Sequence, residues 1–178
     1  MRRTAVVALA FSVAAIAAGS AGSATSKSSF AVFVEPTVTA ASNGLTLETE
    51  LEGSFNVAAK TANGEGSFSL MAGSTVLETG KFTLTRLVAF QFYGCGEVTT
   101  PDGRVSLPSD FCGGRVIFSV HATSSDGEEG DGLLEVNCQI HNPGGQAPPG
   151  TSEGVKINAR GINFNRHVTG DNLLQRLP

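Results

Sequence analysis

The chain has 178 residues, with 12 Lys and Arg against 16 Asp and Glu, so its formal net charge is −4 at pH 7. A mildly acidic chain without basic clusters is a poor partner for phosphate backbones or anionic lipid, so we expect no nucleic-acid partner. A chain of this length with no internal repeat suits one domain with a sizeable core.

The first predicted element is a secretory signal peptide at residues 1–24. Two arginines give it a basic start, residues 5–18 form an apolar run of 14 residues, and a tract of small residues ends at Ala24. Basic, apolar and small segments in this order are what export and cleavage require. The apolar run is shorter than the roughly 20 residues that span a bilayer, so we predict no membrane span. We expect cleavage after Ala24, a mature domain of residues 25–178, and a secreted or periplasmic location.

Period-2 alternation dominates the mature chain and predicts strands. Residues 45–57 place mostly apolar side chains on one face and Glu, Ser and Asn on the other, as expected of a half-buried strand. Turn signals flank this strand at residues 42–44 and 62–64. Gly80 is expected to turn the chain, and a phase slip near Arg86 indicates a β-bulge. The further strands predicted in this half are residues 67–71, 75–79 and 81–93.

The second half of the sequence has the same character. A polar, Gly-rich connection at residues 124–132 joins two alternating segments into a predicted hairpin, and a Pro- and Gly-rich loop covers residues 142–154. Residues 171–177 are the one helical candidate, and a helix and an irregular end are equally compatible with them. The strands predicted in this half are residues 115–123, 132–141, 155–159 and 162–164.

About nine strands without crossover helices predict an all-β domain, built as a single antiparallel β-sandwich or β-barrel. The sequence does not decide between these two architectures. The long consecutive strands of residues 45–93 resemble a meander, which favours a barrel or a strongly curved sandwich.

Three cysteines remain in the mature chain, and an oxidising compartment favours a disulfide between two of them. In the predicted hairpin Cys138 lies opposite Val116 or Phe118, roughly 13–20 Å from Cys112 at about 3.3 Å per residue. A disulfide needs Cα atoms about 4.4–6.8 Å apart. We therefore predict the pair Cys95–Cys112, which brackets a loop between two strands, and a buried, inert thiol at Cys138. Cys112–Cys138 is the alternative if the hairpin is bent or misregistered.

Two acidic features are candidate sites. The carboxylates of Asp126, Glu128 and Asp131 are oxygen ligands of the kind that Ca²⁺ prefers, but the EF-hand spacing fails at two required positions. A soluble hairpin tip explains this loop better, so we predict no metal and no cofactor. Alternating glutamates at residues 48–52 are spaced by about 7 Å on one face, which alone would suit glycoside hydrolysis. Nothing distinguishes one of these carboxylates from the next, so they indicate a solvated outer face.

The histidines lack the pattern of a site. His121, His141 and His167 are scattered, no zinc-binding spacing occurs, and the chain contains no Gly-x-Ser-x-Gly nucleophile motif. We therefore predict that the protein is not an enzyme, and a secreted hydrolase is the third hypothesis.

The leading hypothesis is an exported, non-catalytic β-domain that binds a protein or small molecule or serves as a structural component of the envelope or exterior. The alternative is a carrier of a small apolar ligand with a Phe-lined barrel interior. A cavity of roughly 300 Å³ or more would favour the carrier over a packed core, which uses the same residues. The phenylalanines assigned to the interior are Phe55, Phe68, Phe82, Phe90, Phe92 and Phe118.

Overall fold

The computed structural model describes residues 29–100, 102–140 and 152–178. Within these ranges there is no helix that could cross a membrane. The predicted signal peptide, most of the loop at residues 142–154, and His141 lie outside the described residues. The strands are β1 (Ser29–Ala41), β2 (Leu45–Asn56), β3 (Thr61–Ala72), β4 (Thr75–Cys95), β5 (Glu97–Thr100), β6 (Gly103–Ser106), β7 (Phe111–Ser124), β8 (Glu129–Cys138), β9 (Gly154–Ala159), β10 (Ile162–Thr169) and β11 (Asn172–Arg176).

Nine of these strands form one antiparallel sheet with the order β10-β9-β8-β7-β11-β1-β2-β3-β4, while β5 and β6 form a separate hairpin. Two additional pairings, β10 with β1 and β4 with β7, connect both edge strands back into the sheet. The strands therefore follow one another in a ring, with β11 between β1 and β7 near one end. The prediction of an antiparallel all-β domain is confirmed.

Alternation along each strand directs one set of side chains into the ring. In β2 the side chains of Leu47, Leu51 and Phe55 are buried, whereas Glu50 and Glu52 between them are exposed. This is the pattern predicted for residues 45–57, and it follows because only one face of the strand contacts the core.

Gly80 does not turn the chain, and β4 continues through it. Gly80 lies opposite Phe68 of β3, and a Cβ atom on Gly80 would come within 2.6 Å of that ring. Gly66 has the same relation to Phe82 of β4, at 2.3 Å. Each glycine therefore leaves space for an aromatic ring to lie across the neighbouring strand. The β-bulge expected near Arg86 is confirmed, because the register of β4 with β7 shifts there.

Three other segments differ from the sequence-based expectation. The turn expected at residues 62–64 lies at residues 57–60, where Lys60 has a φ of 55°. Residues 29–41, for which no strand is predicted, form β1. The candidate helix at residues 171–177 is instead occupied by β11, whose backbone groups pair with β1 and β7.

The hairpin of β7 and β8 has a different register from the one predicted. Cys138 lies opposite Gly114, not opposite Val116 or Phe118. Its thiol is buried and donates to the carbonyl of Cys112 over 3.5 Å. The expected separation of Cys138 from Cys112 is therefore wrong, because the hairpin is shifted by two residues or more.

The predicted disulfide Cys95–Cys112 is nevertheless present. Cys95 and Cys112 are direct cross-strand partners on β4 and β7, so the pairing of these two strands brings the sulfurs together. Cys138 is the free cysteine among the described residues, and it is buried as predicted.

Packed phenylalanines fill the ring on the side of this disulfide. Phe30, Phe55, Phe90 and Phe118 form a cluster in which neighbouring ring centroids are 4.9 to 5.5 Å apart. These separations are typical of well-packed aromatic pairs. Because aromatic rings fill this end, a binding site inside the ring would have to lie at the opposite end.

Candidate functional site

An apolar cavity of about 110 Å³ lies inside the ring, at the end away from the disulfide. Seven strands contribute to its walls, namely β2, β3, β4, β7, β8, β9 and β10. The apolar residues that line it are Leu47, Phe68, Leu70, Phe82, Val120, Ala122, Leu134, Ile157, Ala159, Ile162 and Phe164.

The space exists because several inward positions near this end carry small residues. On β8 these positions are Gly130 and Gly132, and their neighbours on β7 and β9 are Ala122 and Ala159. Protein interiors contain few voids larger than a water molecule, so an unfilled apolar space of this size is a specific feature of this end of the ring.

Arg160 lies at the mouth of the cavity. It occupies the two-residue turn between β9 and β10, where Arg160 has a φ of 49° and Gly161 a φ of 77°. Positive φ at both central positions is what a type I′ hairpin turn requires. From this turn the guanidinium reaches Glu78 of β4 over 3.3 Å and Glu128 of the β7–β8 loop over 3.8 Å. Arg160 thus connects the β9–β10 turn to β4 and to the β7–β8 loop, which are themselves neighbours through the hydrogen bond from the Ser125 N–H to the Thr79 carbonyl.

The three calcium candidates lie near this mouth but have separate partners. The Asp126 carboxylate accepts a hydrogen bond from the Ser124 hydroxyl, which lowers the pKa of Asp126. Glu128 pairs with the arginine described above. Asp131 contacts Nδ1 of His121 over 2.9 Å. Within the described residues, no group of three or more His, Cys, Asp or Glu side chains is arranged to hold a metal ion.

His121 and Asp131 form a pair on the outer face of β7 and β8, and Ser119 lies two residues away on the same face. The hydrogen bond that Nδ1 of His121 donates to the Asp131 carboxylate raises the pKa of His121. In a serine hydrolase the far nitrogen of such a histidine faces a hydroxyl. Here Nε2 of His121 lies 3.8 Å from a carboxylate oxygen of Glu129, which lies on the side away from Ser119. The geometry therefore builds a surface ion pair and does not align a nucleophile with a base.

The other histidine candidates do not join this pair. His167 lies on β10, and its Nδ1 is buried without a hydrogen-bond partner. His141 lies outside the described residues.

The glutamate stripe of β2 points away from the cavity, onto the outer face of the sheet. Glu50 and Glu52 line an open groove of about 1240 Å³ together with Glu35, Glu65 and Lys81. Glu52 lies directly opposite Glu65 on β3. These side chains form a solvated face, in agreement with the sequence-based interpretation.

A buried polar network covers the outside of β8, and the sequence pattern does not reveal it. The hydroxyl of Tyr93 donates to Oδ1 of Asn137 over 2.8 Å, and Nδ2 of Asn137 donates to the carbonyl of Ser152 over 2.7 Å. Burial raises the pKa of Tyr93. The network anchors the beginning of β9 to the sheet, and the one available signal was that Tyr93 is the single tyrosine of the chain.

Glu153, at the edge of this network, is partly buried. Its carboxylate accepts a hydrogen bond from the backbone N–H of Gln139 over 2.6 Å. Burial, assisted by the negative charge of Asp171, raises the pKa of Glu153 to about 7. Burial likewise raises the pKa of the Cys138 thiol to about 12, so this thiol stays protonated.

The six phenylalanines assigned to the interior divide between the two ends of the ring. Phe68 and Phe82 line the cavity, together with Phe164, which was not named among them. Phe92 lies at the rim of the packed cluster, with its ring centroid 6.0 Å from that of Phe30 and 6.1 Å from that of Phe90, and is 40% exposed. The remaining three, Phe55, Phe90 and Phe118, belong to the packed cluster. At about 110 Å³ the cavity is smaller than the roughly 300 Å³ expected for a whole drug-sized ligand.

Comparisons of the chain with protein-family models, with curated proteins and with solved structures found no match.

Proposed function

We propose that this chain is an exported, non-catalytic β-domain that binds a small apolar molecule, or the apolar end of a larger one, in the cavity of the ring. The observation that carries this proposal is the wall of the cavity, which is almost entirely apolar and carries small residues at Ala122, Ala159 and Gly130. Larger side chains at these positions would fill the space with packing contacts that the small residues do not make.

The size of the cavity limits what it accepts. An apolar cavity of about 150 Å³ in another protein stays dry and binds benzene or xenon. A space of about 110 Å³ therefore suits one aromatic ring or the end of an alkyl chain, with the rest of a larger ligand outside the mouth. The size of the cavity therefore supports the hypothesis of a small apolar ligand, restricted to a ligand of one ring or to the apolar end of a larger molecule. In this proposal the cavity is the binding site.

Two further parts of the proposal concern architecture and location. We infer that the ring acts as a barrel rather than a two-sheet sandwich, because the β10–β1 and β4–β7 pairings leave neither end of the strand order as a free edge. The signal-like residues 1–24 and the Cys95–Cys112 disulfide support export to an oxidising compartment.

The polar groups near the mouth support a binding role without catalysis. Arg160, Glu78 and Glu128 are engaged with one another, and His121 faces Glu129 and Asp131. Each of these side chains has a charge partner, and none of them is aligned with a hydroxyl or thiol.

The test is a titration of the exported chain with benzene, followed by methyl NMR. We expect chemical-shift changes concentrated at Leu47, Leu134 and Ile157, which line the cavity. Val32, which is fully buried outside the cavity lining, is the internal control and should not shift. The absence of any shift near saturating benzene would contradict the proposed function, as would shifts spread evenly over the core.

A further inference from the structure

We propose that the ligand of this cavity is an amphiphile whose head group is cationic, such as an amine on an aromatic ring or a short alkyl tail. This inference rests on the proposed function of the cavity and adds the chemical class of the ligand. The carrying observation is the charge around the mouth, through which the head group of any ligand with a buried apolar tail must project.

Carboxylates outnumber cations at the mouth. Glu78 lines the cavity from β4. Glu128 and Asp126 lie on the adjoining β7–β8 loop, where both interact with the guanidinium of Arg160. Against these three carboxylates stands, among the described residues, Arg160 alone. His121 and its two carboxylate partners form a separate charged group on the outer face. The electrostatic potential at the entrance is therefore negative, which concentrates cations and repels anions.

Glu78 is the carboxylate best placed to receive a head group. Its side chain is 23% exposed, compared with 47% for that of its partner Arg160 and 71% for Glu128. Interactions at a less exposed carboxylate are less screened by water and salt. An ammonium group at the top of the cavity would lie beside Glu78, while Arg160 can retain its second partner, Glu128.

The mouth would repel an anionic head group. The guanidinium of Arg160 is the one cation that lines the cavity among the described residues, and two carboxylates already share it. A ligand carboxylate would have to displace one of them and would then lie among the remaining acidic side chains. Fatty-acid-like ligands are therefore disfavoured, although the apolar wall alone would accept their tails.

Three compounds with one tail and different heads test this inference: benzylamine, benzyl alcohol and benzoate. At pH 7 and low ionic strength we expect benzylamine to bind about tenfold more tightly than benzoate, with benzyl alcohol between them. At 0.5 M NaCl the difference should shrink to about twofold, because screening acts on the charges and not on the ring. Affinities are measured by NMR titration at the same cavity methyl groups.

Two variants test whether the carboxylates at the mouth cause the preference for benzylamine. Glu78→Gln and Glu128→Gln each remove one carboxylate there, and each should reduce the preference for benzylamine over benzoate by about threefold. Glu50→Gln removes the same charge from the outer groove and should leave the preference unchanged. Having two variants at the mouth keeps the test valid if one of them folds poorly.

The outcomes separate the two proposals. If benzoate binds as tightly as benzylamine, or more tightly, the inference on ligand class is wrong while the cavity remains a binding site. If neither benzene nor any of the three compounds shifts the NMR signals of the cavity methyl groups, the proposed function itself is wrong. If Glu50→Gln reduces the preference for benzylamine as much as Glu78→Gln does, the preference follows the net charge of the whole chain. The proposed role of the mouth is then wrong.

Discussion

Filling the cavity with protein atoms should stabilise the fold and abolish ligand binding. Ala122 is the position for this change, because it lines the cavity from β7 and lies opposite Phe82 on one side and Gly130 on the other. Ala122→Leu adds three carbon atoms directed into the empty space. The neighbour on β8, Gly130, has no side chain to compete for this space, and even a Cβ atom there would meet nothing nearer than Nε of Arg160 at 3.7 Å.

The expected gain follows from the volume of the cavity. At about 24 cal/mol per Å³ for an enclosed cavity, about 110 Å³ corresponds to about 2.6 kcal/mol, which is an upper limit here because this cavity opens to solvent. Added methylene groups that do not match the space cost about 1–3 kcal/mol. Because the leucine fills part of the space and meets some strain, we expect a net gain of about 1 kcal/mol in the free energy of unfolding.

The assay is urea unfolding with and without benzene. For the parent chain, benzene at ten times its dissociation constant should add about 1.4 kcal/mol to stability, because only the folded state binds it. For Ala122→Leu this increment should vanish, since the ligand space is occupied. The matched control is Ala89→Leu, which adds the same atoms at an exposed position of β4 and should retain the full benzene increment.

One result would refute this reasoning. If Ala122→Leu loses stability and benzene still stabilises it as much as it stabilises the parent, the space beside Ala122 is neither empty nor the place where benzene binds. A loss of stability without any benzene increment in the parent would instead point to a packed core throughout.

Three further predictions concern groups away from the cavity. Because the folded-state pKa of Glu153 is raised to about 7, its ionisation opposes folding, and stability should fall as the pH rises from about 4.5 to about 7. Urea unfolding of Glu153→Gln should thus show a gain of up to about 3 kcal/mol at pH 8 and none at pH 4; equal gains would contradict the assignment. Cys138 should resist a thiol-specific disulfide reagent in the folded protein at pH 8 and react only after unfolding. Tyr93→Phe leaves Oδ1 of Asn137 without its donor and should cost about 1–3 kcal/mol in urea unfolding, whereas an unchanged midpoint would show the bond to be dispensable.

The period-2 pattern predicted β2 well because one face of that strand contacts a continuous core and the other contacts water. The same pattern misassigned Gly80, since glycine has two uses that look alike in a sequence. It turns a chain where φ is positive, and it makes space where a neighbouring ring lies across the strand. Only the register with β3 shows that Phe68 covers Gly80.

The register of the β7–β8 hairpin was available from the sequence, although the alternation alone missed it. The backbone of Ser124 pairs with that of Glu128, and Gly127 between them has a φ of 89°. A three-residue hairpin loop with glycine in the left-handed region has this geometry. Centring the turn on Asp126 would have placed Cys138 opposite Gly114, two residues from Cys112, and shown that strand distance does not exclude that pair.

The cavity itself could not be predicted from the pattern. Its volume is the difference between the space enclosed by seven strands and the summed volumes of the side chains that point into it. Alternation identifies which residues point inward but not how far across the ring each one reaches. Phe82 beside the void and Phe118 in the packed cluster have the same sequence surroundings, an apolar residue two positions away on a strand.

The two ends of the ring are built in opposite ways. At the packed end the Cys95–Cys112 bond closes a loop with a sequence separation of 17, which in the chain-entropy model contributes about 3 kcal/mol. At the other end small residues leave the apolar cavity between the strands. β4 and β7 run through both ends, so the crosslink holds the strands whose far ends carry Glu78 and Ala122 at the mouth. Covalent closure of the packed end therefore stabilises the same two strands that form the wall of the cavity at the other end.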